Sequence, residues 1–281
     1  MEEKYLLYQD KKIFYRTTGK GKTVVLLHGF AENGEIWHKQ IEALKNNFHL
    51  IIPDIPGSGK SDFIKDADIE TYAEIIKEII NTEALKASPQ PCWEGGLEGA
   101  GGGSVSLIGH SMGGYITLSF AEKYPQYLNS FGLFHSTAFA DSEEKKQVRT
   151  KAIDFIKENK AYQFIKTSTP GLFAAAFTKN NPSSIEALGE SGKNFSEDAL
   201  IQYYNAMMTR PDRVAVLKNF AQPILFIIGQ YDTAIPLQNS LEQCWLPAIS
   251  NVHILTQSAH MGMWEEAEKA NEILMNFLSP E

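Results

Sequence analysis

The stretch from Val105 to Gly114, Val-Ser-Leu-Ile-Gly-His-Ser-Met-Gly-Gly, constrains the fold of this chain more than any other. Val105 to Ile108 is a short apolar run of the kind that forms a strand buried on both faces. Gly109-His110-Ser111-Met112-Gly113 follows at once, and Tyr115 to Lys123 then reads as a helix. A serine caught between strand and helix must turn sharply, in strained backbone geometry, with its hydroxyl held out into a cleft. Residues 109 and 113 have to be glycine because side chains there would collide with the neighbouring strand and helix. Met112, just past the serine, offers a backbone N–H at a helix N-terminus, where partial positive charge collects. Ser111 reads as a nucleophile.

Bulk properties narrow the setting. At 281 residues the chain has room for one large α/β domain, or for a core carrying an inserted subdomain. A formal net charge of −8, with no basic block, argues against nucleic acid or an anionic membrane surface as the main partner. No apolar run approaches the ~18 residues of a membrane span. The first residues, Met-Glu-Glu-Lys-Tyr-Leu-Leu-Tyr, lack a basic region followed by an apolar segment, so a cytoplasmic location is expected. Cys92 and Cys244 make neither a disulfide framework nor a metal site, and a metal-free protein is expected.

Taken in order, Tyr5 to Tyr8 and Ile13 to Arg16 read as a strand pair around a polar turn. Thr23 to Leu27 is a continuous apolar run suited to a buried strand, and it ends in His28-Gly29-Phe30. A helix is expected over Trp37 to Leu44, then a strand over His49 to Pro53. Gly59-Lys60-Ser61 suggests a phosphate loop, but that motif needs a glycine at position 54, which is aspartate. Ile69 to Leu85 carries apolar residues at helical spacing. Residues 87–104, rich in glycine and proline, form an atypical insertion before the Ser111 strand, where helix-to-strand connections usually take about 2–6 residues. The expectation there is a mobile linker on the side of the sheet away from the ligand, with Trp93 and Leu97 as anchors if a partner binds it.

Beyond a strand over Asn129 to Phe134 the pattern changes. Residues 137–216 contain helical segments and no strand-like run, which describes a helical cap inserted between two strands of a core formed by 1–136 and 217–281. Strands resume at Pro223 to Gly229 and Asn251 to Leu255, and a helix over Trp264 to Leu278 closes the chain. Alternating strands and helices predict an α/β fold with a mostly parallel sheet flanked by helices. In the cap, Phe139, Phe173, Phe177, Met207 and Met208 suggest either an apolar pocket or packing between helices.

A serine hydroxyl needs a base to take its proton, and histidine suits this because its pKa of about 6.5 lies near working pH. Position selects among the seven histidines. His260 lies between the last strand and the last helix, on a loop at the carboxyl edge of the sheet. His28 and His110 sit in glycine turns as supports; His38, His49 and His253 sit in or beside regular elements. His135 ends a strand and is a candidate substrate contact. The imidazole in turn needs a buried carboxylate to hold its tautomer. Asp232, directly off a strand end, is the first candidate and Asp141 the second. A tetrahedral intermediate needs two N–H donors: Met112 supplies one, and the turn after Leu27 supplies the other, best placed at Phe30.

His28-Gly29-Phe30, Asp54 to Ser61, Gly109 to Gly114, Gly229 to Asp232 with Ile235-Pro236, and Ala259-His260 together resemble the α/β-hydrolase superfamily, in its branch with a helical cap. The resemblance implies that Ser111, Asp232 and His260 are nucleophile, acid and base, in that family's chain order, with Phe30 and Met112 lending oxyanion-hole amides. It further implies cofactor-free hydrolysis of a small-molecule carboxylic ester, lactone or related acyl compound. Carbon–carbon or enol-lactone chemistry on the same triad, or a small-molecule receptor with vestigial hydrolysis, are the alternatives. Oligomeric state is left open. Serine at 111 separates the chain from relatives whose nucleophile is aspartate.

Overall fold

A computed structural model of the chain describes residues 1–87 and 105–279. The expected loop over 87–104, with Trp93 and Leu97, lies outside the described residues except for Ala87, which ends a helix. The first two strands, β1 (Glu2–Tyr8) and β2 (Lys11–Thr18), pair antiparallel through a turn in which Gln9 and Asp10 take left-handed backbone, at φ 48° and 63°. There follow β3 (Lys22–Leu27), a 3-10 turn over Gly34–Trp37, α1 (His38–Leu44), β4 (Phe48–Pro53) and α2 (Ile69–Ala87). Then come β5 (Val105–His110), α3 (Met112–Lys123) and β6 (Leu128–Phe134).

Between β6 and the next strand the described chain is helical: α4 (Glu143–Asn159), α5 (Ala161–Ser168), α6 (Ala175–Asn180), α7 (Pro182–Ser191), α8 (Glu197–Thr209) and α9 (Val214–Asn219). It returns to the sheet with β7 (Ile224–Gly229), α10 (Leu237–Cys244) and β8 (Ser250–Leu255), then α11 (Gly262–Glu265) and α12 (Ala267–Leu278). Among the described residues eight strands form one sheet in the order β1-β2-β4-β3-β5-β6-β7-β8. All neighbours from β4 to β8 are parallel. The fold is therefore the expected α/β-hydrolase fold, and the carboxyl ends of six strands share one edge.

The period-2 alternation of strand side chains divides the core between the two faces. Val25 and Leu27 pack with Ile76, Ile79, Ile116 and Phe120 from α2 and α3. Val24 and Leu26 point the other way, onto Ile41 and Leu44 of α1 and Ile273 and Leu274 of α12. The central strands read as unbroken apolar runs because both faces are covered.

Two elements differ from expectation for identifiable reasons. α10 has few apolar positions; its inner face is completed by Gln243, which donates to Ser136 O at 2.8 Å and accepts from Ala138 N at 2.8 Å. A helix that buries a glutamine leaves little hydrophobic periodicity. The single helix expected over Trp264 to Leu278 is broken at Glu266, whose backbone is non-helical at φ −127°, ψ 52°. The break lets Glu265 and Glu266 reach back: Glu265 accepts from the Ala259 and Met261 amides and Glu266 from the Gln257 amide and the Ser258 hydroxyl. These carboxylates fix the loop that carries His260.

The packing of α3 on the sheet depends on absent side chains. A Cβ at Gly109 would collide with the Gly113 carbonyl, and one at Gly113 with the Leu27 carbonyl. Gly171, by contrast, has nothing within 4 Å of its Cβ direction and no left-handed φ. Gly113→Ala should therefore destabilise the protein by about 1–3 kcal/mol, with a thermal midpoint several degrees lower, whereas Gly171→Ala stays within about 0.5 kcal/mol of the parent. Calorimetry of the two variants checks this.

Candidate active site

Four turns at the carboxyl edge of the sheet bring the sequence candidates together. Leu27 and Gly109 are register partners on β3 and β5, so the turn carrying Gly29 and Phe30 lies beside the turn carrying Ser111. Ser111 caps α3 with φ 50° and ψ −115°, a combination costly for any residue with a Cβ and sustained by the packing around it. Its amide donates to Phe134 O at 3.0 Å, and its carbonyl accepts from Ser136 Oγ at 2.8 Å. The serine is thus held by its backbone, which leaves the side chain to the cavity. Met112 opens α3 immediately afterwards.

Asp232 lies in the turn after β7, and His260 in the loop after β8. Asp232 is buried. Its Oδ1 accepts from the Ala234 and Ile235 amides at 2.8 and 2.9 Å, and Oδ2 lies 2.8 Å from His260 Nδ1. Burial alone would raise the Asp232 pKa; the charge and hydrogen bond of His260, with the His135 imidazole close by, outweigh it and hold the carboxyl well below its usual range. With Nδ1 donating to Asp232, His260 presents Nε2 away from the carboxylate. Phe30, Ser111 and His260 all line one cavity of about 510 Å³. Tyr115 on α3, Arg149 on α4, Tyr204 and Met207 on α8 and Ile235 after β7 complete much of its wall.

His135 does not face that cavity. It is buried behind Asp232, 3.4 Å from Oδ2 through Nδ1, while its Nε2 accepts the Gly262 amide at 3.1 Å. An accepting Nε2 puts the proton on Nδ1 and makes the ring neutral; burial agrees, pushing its pKa down to about 4. The expected substrate contact is corrected to a buried prop that presents a second N–H toward Asp232. Asp141 is also elsewhere, bound to Arg149 and Arg210. Of the aromatics and methionines singled out between residues 137 and 216, Met207 lines the cavity, whereas Phe173 and Phe177 stack on each other.

His28 supports the neighbouring loop in neutral form. Its Nδ1 donates to Gly29 O at 2.9 Å and its Nε2 accepts the Ile55 amide at 2.9 Å; burial lowers its pKa. Asp54 explains why the glycine-lysine-serine run is no phosphate loop: its carboxylate already takes the Lys60 amide at 3.0 Å and the Gly34 amide at 2.9 Å.

The sequence reading missed Glu32. Its Oε2 accepts the Gly29 amide at 2.6 Å and lies 3.0 Å from His110 Nδ1. His110 Nε2 in turn sits 2.9 Å from the carbonyl of His260. Both ring nitrogens of His110 face acceptors, so both must donate and the ring carries a charge. The desolvation that would lower its pKa is overcome by Glu32, and the net shift is upward; the same pair lowers the buried Glu32 carboxyl. This ion pair ties the turn after β3 to the His260 loop. Nothing in the spacing announces it, because 78 positions separate the partners.

Among the described residues no cluster of His, Cys, Asp or Glu is arranged to hold a metal ion, and no helix is long and apolar enough to cross a membrane. A family profile described as the α/β hydrolase fold matches residues 22–152. A 2-hydroxy-6-oxononadienedioate/2-hydroxy-6-oxononatrienedioate hydrolase of Paraburkholderia phymatum is 26% identical over 96% of this chain and 91% of that protein. A pimeloyl-[acyl-carrier protein] methyl ester esterase of Vibrio vulnificus is 25% identical over 94% of this chain and 97% of its own. Among solved structures, a thermophilic esterase from Thermogutta terrifontis superposes with a TM-score of 0.86 at 24% identity, covering 99% of this chain and 98% of that one.

Replacing Glu32 by Gln should destabilise the protein by about 3 kcal/mol, because it leaves a buried charge unpaired. Glu32, with a lowered folded-state pKa, contributes stability above its usual value near 4.5 that is lost as pH falls. His110, with a raised pKa, contributes stability below about 6.5 that is lost as pH rises through the folded value. The difference between parent and variant should be widest between those limits, near pH 5.5, and narrow toward pH 9. Urea unfolding at both pH values measures it.

Proposed function

We propose that this chain, whose fold is that of the α/β hydrolases, is a serine hydrolase of carboxylic esters or related acyl compounds, acting through an acyl-enzyme on Ser111. The observation that carries the reading is the strained Ser111 turn opening into the cavity that His260 also lines, with His260 Nδ1 held 2.8 Å from a buried aspartate.

On this reading His260 Nε2 takes the Ser111 proton as Oγ attacks the substrate carbonyl, and later returns it to the leaving alcohol. Asp232 stays ionised, since its two oxygens are already engaged by two amides and the His260 imidazole, with His135 Nδ1 a further 3.4 Å away. It orients His260 and stabilises the imidazolium that forms. The backbone amides of Phe30 and Met112 meet the developing oxyanion; both are main-chain groups, held by the Glu32–Gly29 contact on one side and by α3 on the other. Water then attacks the acyl-enzyme with the same base. Residues 1–136 and 217–281 serve as the core, and 137–216 as a cap whose α4 and α8 supply Arg149, Tyr204 and Met207 to the cavity.

A second reading, hydrolysis of a carbon–carbon bond in an oxo-acid on the same residues, is supported by the relative named for 2-hydroxy-6-oxononadienedioate. The two differ in what they predict for a simple ester. With p-nitrophenyl acetate, the intact protein should turn over many times, and Ser111→Ala should lose about 10⁴- to 10⁶-fold in kcat. Asp232→Asn should lose about 10⁴-fold with the fold intact, because the amide favours the wrong imidazole tautomer. Turnover of the parent no greater than that of Ser111→Ala would favour the oxo-acid reading.

A further inference from the structure

The proposed active-site cavity is lined by an arginine that the protein neutralises only in part. Arg149 lines the cavity from α4, with its side chain 11% exposed. Its Nε donates to Asp141 Oδ2 at 2.6 Å, and its Nη2 lies 3.5 Å from Oδ1. Asp141 is shared, however. Arg210 Nη1 lies 2.9 Å from the same Oδ1, and the Arg210 guanidinium is buried 3.8 Å from the centroid of the Tyr115 ring. Two guanidinium groups thus divide one carboxylate, and the cluster keeps a net unit of positive charge. Among the described residues, Arg149 Nη1 meets only the thioether of Met207, at 3.3 Å, which is a weak acceptor.

The other charges lining the cavity do not correct this. Glu32 is committed to His110 and the Gly29 amide. Lys145 is a further cation, and its Nζ donates to Ala234 O. Glu144 is exposed at the start of α4. An excess charge in a mostly apolar cavity is costly unless something pairs it, and a planar guanidinium fork matches a carboxylate best.

We infer that Arg149 anchors a carboxylate carried by the substrate itself, so that the cavity takes esters or related acyl compounds whose far end is an acid. The inference rests on the serine-hydrolase reading of this site. The anchor stands apart from the reacting centre. Tyr204 stacks on Phe30 with ring centroids 4.3 Å apart, and the Arg149 guanidinium lies 5.6 Å from the Tyr204 centroid. One aromatic ring therefore separates the anchor from the oxyanion turn, and the substrate carboxylate is remote from its scissile carbonyl.

The test compares acids with their carboxamide isosteres: monomethyl adipate against methyl adipamate, with the acid on the acyl side, and 4-acetoxybutyrate against 4-acetoxybutanamide, with the acid on the alcohol side. In the intact protein at least one acid should exceed its amide about tenfold to a hundredfold in kcat/KM. That ratio should collapse toward one in Arg149→Gln and fall to an intermediate value in Arg149→Lys, which keeps charge but not the fork. Independently of any variant, adipate should inhibit p-nitrophenyl acetate hydrolysis competitively and adipamide should not. Equal rates within both pairs, equal inhibition by adipate and adipamide, or a preference unchanged in Arg149→Gln would overturn the inference. Ser111-dependent hydrolysis with no acid preference removes this inference alone, whereas no Ser111-dependent hydrolysis of any of these esters removes the reading beneath it.

Discussion

The close approach of α3 to β3 and β5, which leaves no room for a Cβ at positions 109 and 113, is the constraint on which the site depends. It forces the chain to reverse within one residue, and that residue is Ser111, at φ 50°. A backbone so strained persists only where surrounding contacts over-determine it, and here they do. Phe134 O takes the serine amide, Ser136 Oγ reaches its carbonyl, and the apolar faces of α2 and α3 clamp the helix to the sheet. The strain is thus maintained by the larger of the two apolar clusters among the described residues, and the serine side chain is left over for the cavity.

Around that turn the titratable groups are sorted by their partners rather than by sequence distance. His28 and His135 each accept a backbone amide through Nε2 and stay neutral, whereas His110 faces acceptors on both sides and is charged. The carboxylates follow the same logic: Asp232 and Glu32 are both buried and both held ionised, Asp232 by an imidazole and two backbone amides and Glu32 by an imidazole and one. In the proposed mechanism this fixes which imidazole is mobile. His260 is the one whose second nitrogen is presented to the cavity rather than to the protein.

Much of this was legible in the sequence. The buried strands announce themselves as apolar runs, and the reversal at Gly109 to Gly113 fixes where the nucleophile candidate must sit. Chain order then singles out Asp232 and His260, which the structure brings to 2.8 Å. Legibility ends where a position's meaning depends on a partner far along the chain. His135 ends a strand and could face either way; the Gly262 amide draws it behind Asp232. Glu32 is one more acidic residue in a loop until His110 is folded against it. α10 was hidden because it buries Gln243 in place of a hydrophobic residue, and the break at Glu266 because its cause lies in the loop it reaches back to hold. Local patterns report backbone and burial; buried polar pairs are properties of the folded molecule.

The central claim is that Ser111 is acylated during turnover. The most direct measurement is to mix the intact protein with excess p-nitrophenyl acetate, quench in acid within the first turnovers, and locate the added acetyl mass by peptide mass spectrometry. The account predicts one acetyl group on the peptide containing Ser111, disappearing as substrate is exhausted. Sustained turnover with no acetyl group on that peptide, or with the group on another residue, would contradict it.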